Sequence, residues 1–202
     1  GITSNSNTVT VVTVGVRTPS MLEFLQYAPM SPGATAVPVA VTDYSSSGTP
    51  AGPFVAMAAP LPSGSATPIN LGVPVPLEPV TVYHKGDPVF LRLTDFDQNI
   101  DSLNAETVLV TINVAATGDA ELLRLTETGP DTGIFTGYIQ SYISSMYPLA
   151  ANPSNGQLGL QDNDVINADY VDTIDGSDTS AASTLVDPFG IVFDSATGAL
   201  LD

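Results

Sequence analysis

Proline and glycine set the narrowest limit on what this chain can fold into. Seventeen of each among 202 residues make up about one residue in six. A proline inside a helix removes a hydrogen bond and clashes with the preceding turn, and a glycine there is destabilising. No long amphipathic helical pattern survives between them. What remains are short β-branched or alternating runs bounded by turn formers, the pattern of an all-β chain.

The clearest strand is TVTVVTVGV at residues 8–16, behind the polar leader GITSNSN. After Pro19, the stretch MLEFLQYA reads two ways. Ser20 and Glu23 fit a capping box, with Met21, Leu22 and Leu25 on one short helical face. The same residues also fit a buried strand. From residue 29 to 79 Pro, Ala, Gly, Ser and Thr dominate and charge nearly vanishes. The prolines exclude central strands over most of this stretch, while Phe54, Val55, Met57, Ile69, Leu71 and Val75 mark an ordered covering layer rather than a loose linker. Beyond Val80, seven strand-length runs follow, from PVFLRLTDFD to FGIVFDS, separated by Gly, Asn and Asp turns. Such spacing points to an antiparallel β-sandwich. The expected organisation is an N-terminal strand segment (1–30), a covering layer (31–79), a sandwich core with acidic loops (80–180), and a C-terminal strand or the start of a following module (181–202).

Charge excludes several functions. Twenty-one acids against four Lys and Arg give a net charge of −17, which disfavours nucleic acid and anionic membrane surfaces as partners. The absence of cysteine rules out a disulfide framework and thiolate metal sites. No apolar run approaches the ~18–20 residues of a membrane-spanning helix. Gly1-Ile2-Thr3 lacks the basic start and apolar core of a secretory signal, and the missing initiator Met points to a processed chain or an excised fragment. The single histidine, His84, sits in the turn His84-Lys85-Gly86-Asp87, and Ser144 and Ser145 have no nearby base. No Trp is present to stack a sugar ring, and nothing pairs two carboxylates across a cleft. The tyrosines at 83, 138, 142, 147 and 170 read as core and edge packing. The expectation is no catalysis and no small-molecule substrate.

The acids themselves are clustered. Asp95, Asp97, Asp101 and Glu106 form one group, Asp119, Glu121, Glu127 and Asp131 a second, and Asp162, Asp164, Asp169, Asp172, Asp175 and Asp178 a third, together 14 of the 21 carboxylates. Like charges crowded at turns repel unless a cation neutralises them or water screens them. The run Asp95-Phe-Asp97-Gln-Asn99-Ile-Asp101, with Glu106 in twelfth place, has the oxygen spacing of a calcium loop. Ile100 stands where an EF-hand needs Gly, and both flanks are strands, so a calcium here would draw on other partners, the second cluster first among them. The competing reading is a solvated turn closed by Asx hydrogen bonds. In the third cluster Asp162, Asp164 and Asp172 are further candidates. Oxygen donors without His or Cys favour calcium over zinc or copper.

The segments GDPVFLRLTDFDQNID, GDAELLRLTETGPDTGIFTGYI and VDPFGIVFDSATGALLD together resemble an Ig-like repeat module of large bacterial and archaeal extracellular and surface-layer proteins. LTETGPDTGIFTG is the most specific piece, and RTPSMLEFLQYAP resembles the start of such a unit. The resemblance implies an Ig-like sandwich at the cell surface or outside the cell, structural rather than catalytic, and stabilised by calcium. Carried over by position, the implied cation-binding residues are Asp95, Asp97, Asn99, Asp101, Asp119, Glu121 and Glu127. Relatives are often arrays, whereas this chain is one module long.

The leading expectation is a subunit or module of a filament, pilus-like fibre or surface layer that self-associates into a homopolymer. The alternative is a calcium-dependent adhesin or binding module. Residues 8–16, apolar and free of proline, are a candidate donor strand for a neighbour's open sheet edge, where main-chain hydrogen bonds and alternate side-chain pockets would hold it. Pairing within the strand's own sheet is the other reading. Residues 186–201 are too apolar to dangle in water and are expected to form a packed strand.

Overall fold

In Pro88–Thr94, every second side chain faces one way: Val89, Leu91 and Leu93 are buried in one core, while Phe90 is buried on the opposite face. A strand apolar on both sides must be covered on both sides, and that requirement organises the molecule. The computed structural model describes residues 18–143, 151–187, 192–193 and 200–201. In chain order the strands are β1 (Met21–Tyr27), β2 (Thr35–Val37), β3 (Asp43–Ser45), β4 (Phe54–Ala56), β5 (Val75–Pro79), β6 (Val82–Tyr83) and β7 (Pro88–Thr94). They continue as β8 (Thr107–Val114), β9 (Asp119–Glu127), β10 (Ile134–Ile143), β11 (Gln157–Leu160), β12 (Val165–Val171), β13 (Thr179–Val186), β14 (Val192–Phe193) and β15 (Leu200–Leu201). Among the described residues the only helical turn is a 3-10 turn at Phe96–Gln98. No helix among them is long and apolar enough to cross a membrane. The all-β class expected from the sequence is what the structure shows.

Thirteen strands form one sheet in the order β2-β5-β1-β7-β10-β9-β8-β12-β13-β6, with β11 on β10 and the β3–β4 hairpin on β9. Its two halves remain joined where Phe135 pairs with Glu127 and Thr136 with Thr126. Both halves supply one core: Leu22, Phe24, Leu91, Leu93, Phe135 and Ile139 meet Val110, Ile112, Leu123, Leu125, Ile166 and Ala168. A second core lies on the other face of β1, β7 and β10, where Val37, Val39, Ile69, Val75 and Leu77 cover Leu25, Phe90 and Tyr138. The proline-rich stretch thus contributes a packed layer. Its β5 is paired on both sides despite Pro76, whose carbonyl accepts from Ala28 N–H at 3.0 Å.

Of the two readings of the stretch after Pro19, the strand is the one formed. β1 pairs with β7 from Met21↔Thr94 to Leu25↔Phe90. Phe24 and Leu25 are adjacent and both buried, because each face of β1 has its own cover. Glu23 pairs with Arg92 across the ladder at 2.7 Å, and Ser20 bonds to Asp178 instead of capping a helix. The C-terminal stretch holds two short strands in place of one. β14 and β15 pair antiparallel with each other in a separate two-stranded sheet. Residues 8–16, the candidate donor strand, lie outside the described residues.

At Gly137, on the core face of β10, an added Cβ would stand 2.3 Å from Leu125 Cδ2 and 3.0 Å from Thr42 Oγ1. Leu125 is fully buried, so its side chain could shift only by displacing other core residues. Gly137→Ala should lower stability by about 1–3 kcal/mol through overpacking, read as a lower urea midpoint with an unchanged m-value.

Candidate cation site

The inward stripe of β7 runs Val89, Leu91, Leu93, and one step further brings Asp95 to the same face. The inward stripe of β12 runs Ile166, Ala168, Tyr170, and its next member is Asp172. Strand parity therefore turns two carboxylates into the end of the core, where Asp95 is 0% and Asp172 1% exposed. The 3-10 turn after Asp95 swings Asp97 back beside them. One carboxylate oxygen from each of the three lies within 4.8 Å of the others.

The hydrogen bonds satisfy only part of this cluster. Tyr170 donates its hydroxyl to Asp95 Oδ2 at 2.7 Å, and Asp172 Oδ1 accepts from Gln98 Nε2 and from Ile174 N–H. Asp95 Oδ1, Asp97 Oδ1 and Asp172 Oδ2 have no donor, nor do Asn99 Oδ1 and Glu106 Oε2 in the same loop. Eight buried side-chain atoms among the described residues are unsatisfied, and five of them are these oxygens. A buried polar atom without a partner costs on the order of 1–3 kcal/mol, more if charged, so such a concentration marks a place where something positive belongs. Among the described residues no basic side chain supplies the charge: Lys85 pairs with Asp162, Arg92 with Glu23 and Arg124 with Asp43. Burial first, then contact with Asp97, pushes the Asp95 carboxyl up to about 7, against the pull of the Tyr170 hydroxyl. The three aspartates can hold a metal ion, and an all-oxygen donor set suits a hard one.

The loop is built from its own sequence. Asp95 N–H donates to Gly133 O at 2.8 Å, fastening the start of the loop to the β9–β10 turn. Gly133 has φ +60, and a Cβ there would lie 2.7 Å from Phe96, so that turn needs glycine. Glu106 Oε1 accepts from Ile100 N–H and Asp101 N–H, closing the loop on itself and leaving Oε2 free. Ile100 is not among the residues with positive φ, which is why the sixth position tolerates a branched side chain. Asp101 turns away: it accepts from Asn104 Nδ2 at 2.7 Å and from Leu103 N–H at 3.0 Å, and these bonds, that of Asn104 first, hold its carboxyl below the usual range.

The other candidates fall elsewhere. Glu127 sits beside the loop but serves as a clamp, its Oε1 accepting from Thr132 and Gly133 N–H, both at 2.7 Å. Burial pushes Glu127 up, and these amides with Glu106 outweigh it, so the carboxyl ends below its usual range. This accounts for the acid in ETGPDTG. Asp131, in the same turn, accepts from Asn99 Nδ2 at 2.9 Å. Asp119 and Glu121 lie at the far end of β9, about 26 Å and about 20 Å from Glu127 at a strand's rise of ~3.3 Å per residue. There they accept from Asn152, Gly159, Asn155 and Gly156 N–H and pin the segment leading into β11. Asp162 is half-exposed in its ion pair with Lys85, and Asp164 accepts from Gln161 N–H in a turn. The partner that joins the loop is thus Asp172 of the third cluster, because β12 lies next to β8 and ends beside the loop. The sequence reads Tyr170 as core and edge packing, not as a site residue, and does not single out Gln98. Tyr170 shares the parity of Asp172, which is a usable signal, whereas Gln98 carries none.

Burial pushes Glu121 up to about 7, against the opposing pull of the Asn155 and Gly156 amides. A carboxyl raised in the folded state contributes most stability below its unfolded value and loses it as pH rises through its folded value. Urea unfolding at pH 5 to 8 with chelator present should therefore show wild type losing stability relative to Glu121→Gln, by on the order of 2 kcal/mol over that window. Parallel curves would remove the raised value. Compared with known proteins, the chain matches no family model and no curated protein, so a reading of its function rests on this geometry.

Proposed function

We propose that the chain is a structural module of an extracellular protein, part of a filament or surface layer, whose loops at one pole are tied together by calcium. The observation that carries this reading is the set of five unsatisfied buried oxygens on Asp95, Asp97, Asn99, Glu106 and Asp172. Calcium accepts six to eight oxygens in flexible arrangements, whereas magnesium demands a near-ideal octahedron and keeps its waters. Asp95 and Asp97 at the first and third loop positions, completed by Asp172 from another strand, suit the former, and Asn99 and Glu106 of the same loop carry further open oxygens. In this reading the ion neutralises buried charge and fastens strand connections, a structural duty without catalysis. The secreted Ig-like repeat that the sequence resembles has the same character. Self-association through residues 8–16 remains the proposed route to a polymer.

Calcium that binds only the folded chain would stabilise it by ~2.7 kcal/mol at a hundredfold excess over Kd. The melting temperature should rise in millimolar calcium and fall with chelator. Asp97→Ala should abolish the response, while Asp162→Ala, remote and half-exposed, should keep it. Identical melts with and without calcium would refute the calcium reading. For assembly, the chain lacking residues 1–16 should fold but form no fibres in negatively stained images. Fibres of unchanged length would place the contact elsewhere.

A further inference from the structure

The seven residues 172–178 join the cation site to Ser20, the residue before β1. Asp172 N–H donates to Asp178 O at 3.0 Å, and Asp178 N–H donates to Asp175 O at 2.7 Å. Within the same loop, Asp172 Oδ1 accepts from Ile174 N–H and Asp175 Oδ1 accepts from Ser177 N–H and its hydroxyl. The loop is therefore a closed unit with Asp172 at one end and Asp178 at the other. Asp178 in turn grips the residue before β1. Ser20 donates its backbone N–H to Oδ2 and its hydroxyl to Oδ1, both at 2.9 Å. Thr18 and Pro19 line a shallow groove with Asp175, Ser177 and Asp178.

We infer that a cation at Asp95, Asp97 and Asp172 controls how firmly the chain is held at Ser20, and so the stiffness of its connection to whatever precedes β1. The inference rests on the cation reading above. Without the ion, Asp172 faces two other carboxylates, and opening the loop relieves that repulsion. The opening also carries Asp178 away from Ser20, because the same backbone bonds hold both ends. With the ion bound, Asp172 is fixed, the loop stays closed, and both hydrogen bonds to Ser20 persist. Local opening of this kind is what amide exchange measures. Coupling is reciprocal, so losing the grip on Ser20 must weaken the cation by the factor through which the cation strengthens the grip.

The test is hydrogen exchange at the Ser20 amide of the full chain, in calcium chloride and in chelator, alongside calorimetric titration with calcium. Calcium should slow exchange at Ser20 roughly tenfold or more, a coupling of ordinary size. Asp178→Ala should still bind calcium, with Kd raised by a similar factor, and should exchange fast at Ser20 in both conditions. Calcium binding with unchanged protection of Ser20 would overturn the coupling and leave the cation site standing. No calcium binding at all would overturn both. The wild-type measurement stands by itself should Asp178→Ala fail to fold.

Discussion

Three carboxylates whose oxygens approach within 4.8 Å, two of them buried and none met by a basic side chain among the described residues, are the constraint on which one whole pole of this protein depends. Their mutual repulsion opposes folding, and the surrounding structure counters it in two ways. Tyr170, Gln98 and the Ile174 amide take up one oxygen each on Asp95 or one shared oxygen on Asp172. The remaining oxygens converge from loops that follow different strands, which is the arrangement a cation can use and a hydrogen-bond network alone cannot complete. The connections after β7, β9 and β12 are therefore held to one another by the same site or its supports, through Asp95 on Gly133, Asn99 on Asp131 and Gln98 on Asp172.

At the other pole the problem of buried acid is solved differently. Asp119 and Glu121 point inward from β9, yet backbone amides of a single segment satisfy them, at 2.7 Å from Gly159 to Asp119 and 2.8 Å from Asn155 to Glu121. Each of their four oxygens has an amide donor, although burial still holds Glu121 above its usual range. Two acidic clusters of similar appearance in the sequence thus have different chemistry, one closed by peptide groups and one left open.

Much of this was legible in the residues, for physical reasons that differ by element. The alternation of β7, β8, β9 and β12 belongs to each strand by itself, so class and core face follow from local pattern. The loop 95–106 is likewise local, and its spacing marks Asp95, Asp97, Asn99, Asp101 and Glu106, of which Asp101 is spent on its own turn. Asp172 could be flagged as a carboxylate in a dense run, but its meeting with Asp95 depends on β12 lying against β8, a pairing between residues such as Ile166 and Val114 that no short-range signal encodes. The same holds for Asp119, whose distance from the loop follows from hairpin register, Val114 opposite Asp119 and Thr107 opposite Thr126. The stretch after Pro19 stayed ambiguous because Phe24 and Leu25 break the strand alternation. Only the second core, supplied by Val37, Val75 and Leu77, explains both.

β1 and β13 both begin at the cation pole, where Asp178 holds Ser20, and both run toward the opposite one, where Val186 pairs with Tyr83. A chain that joins β1 at one pole and leaves β13 at the other transmits a pull along the strand axes. Tension would then slide β1 lengthwise past β7 and β5, and β13 past β12, so that the ladders resist together instead of parting bond by bond. β12 and β13 oppose one another over seven residue pairs and β1 and β7 over five. Pulled along that axis the sheet would yield abruptly instead of gradually, since β1 is held by five pairs on β7 and three more on β5 that must give way together.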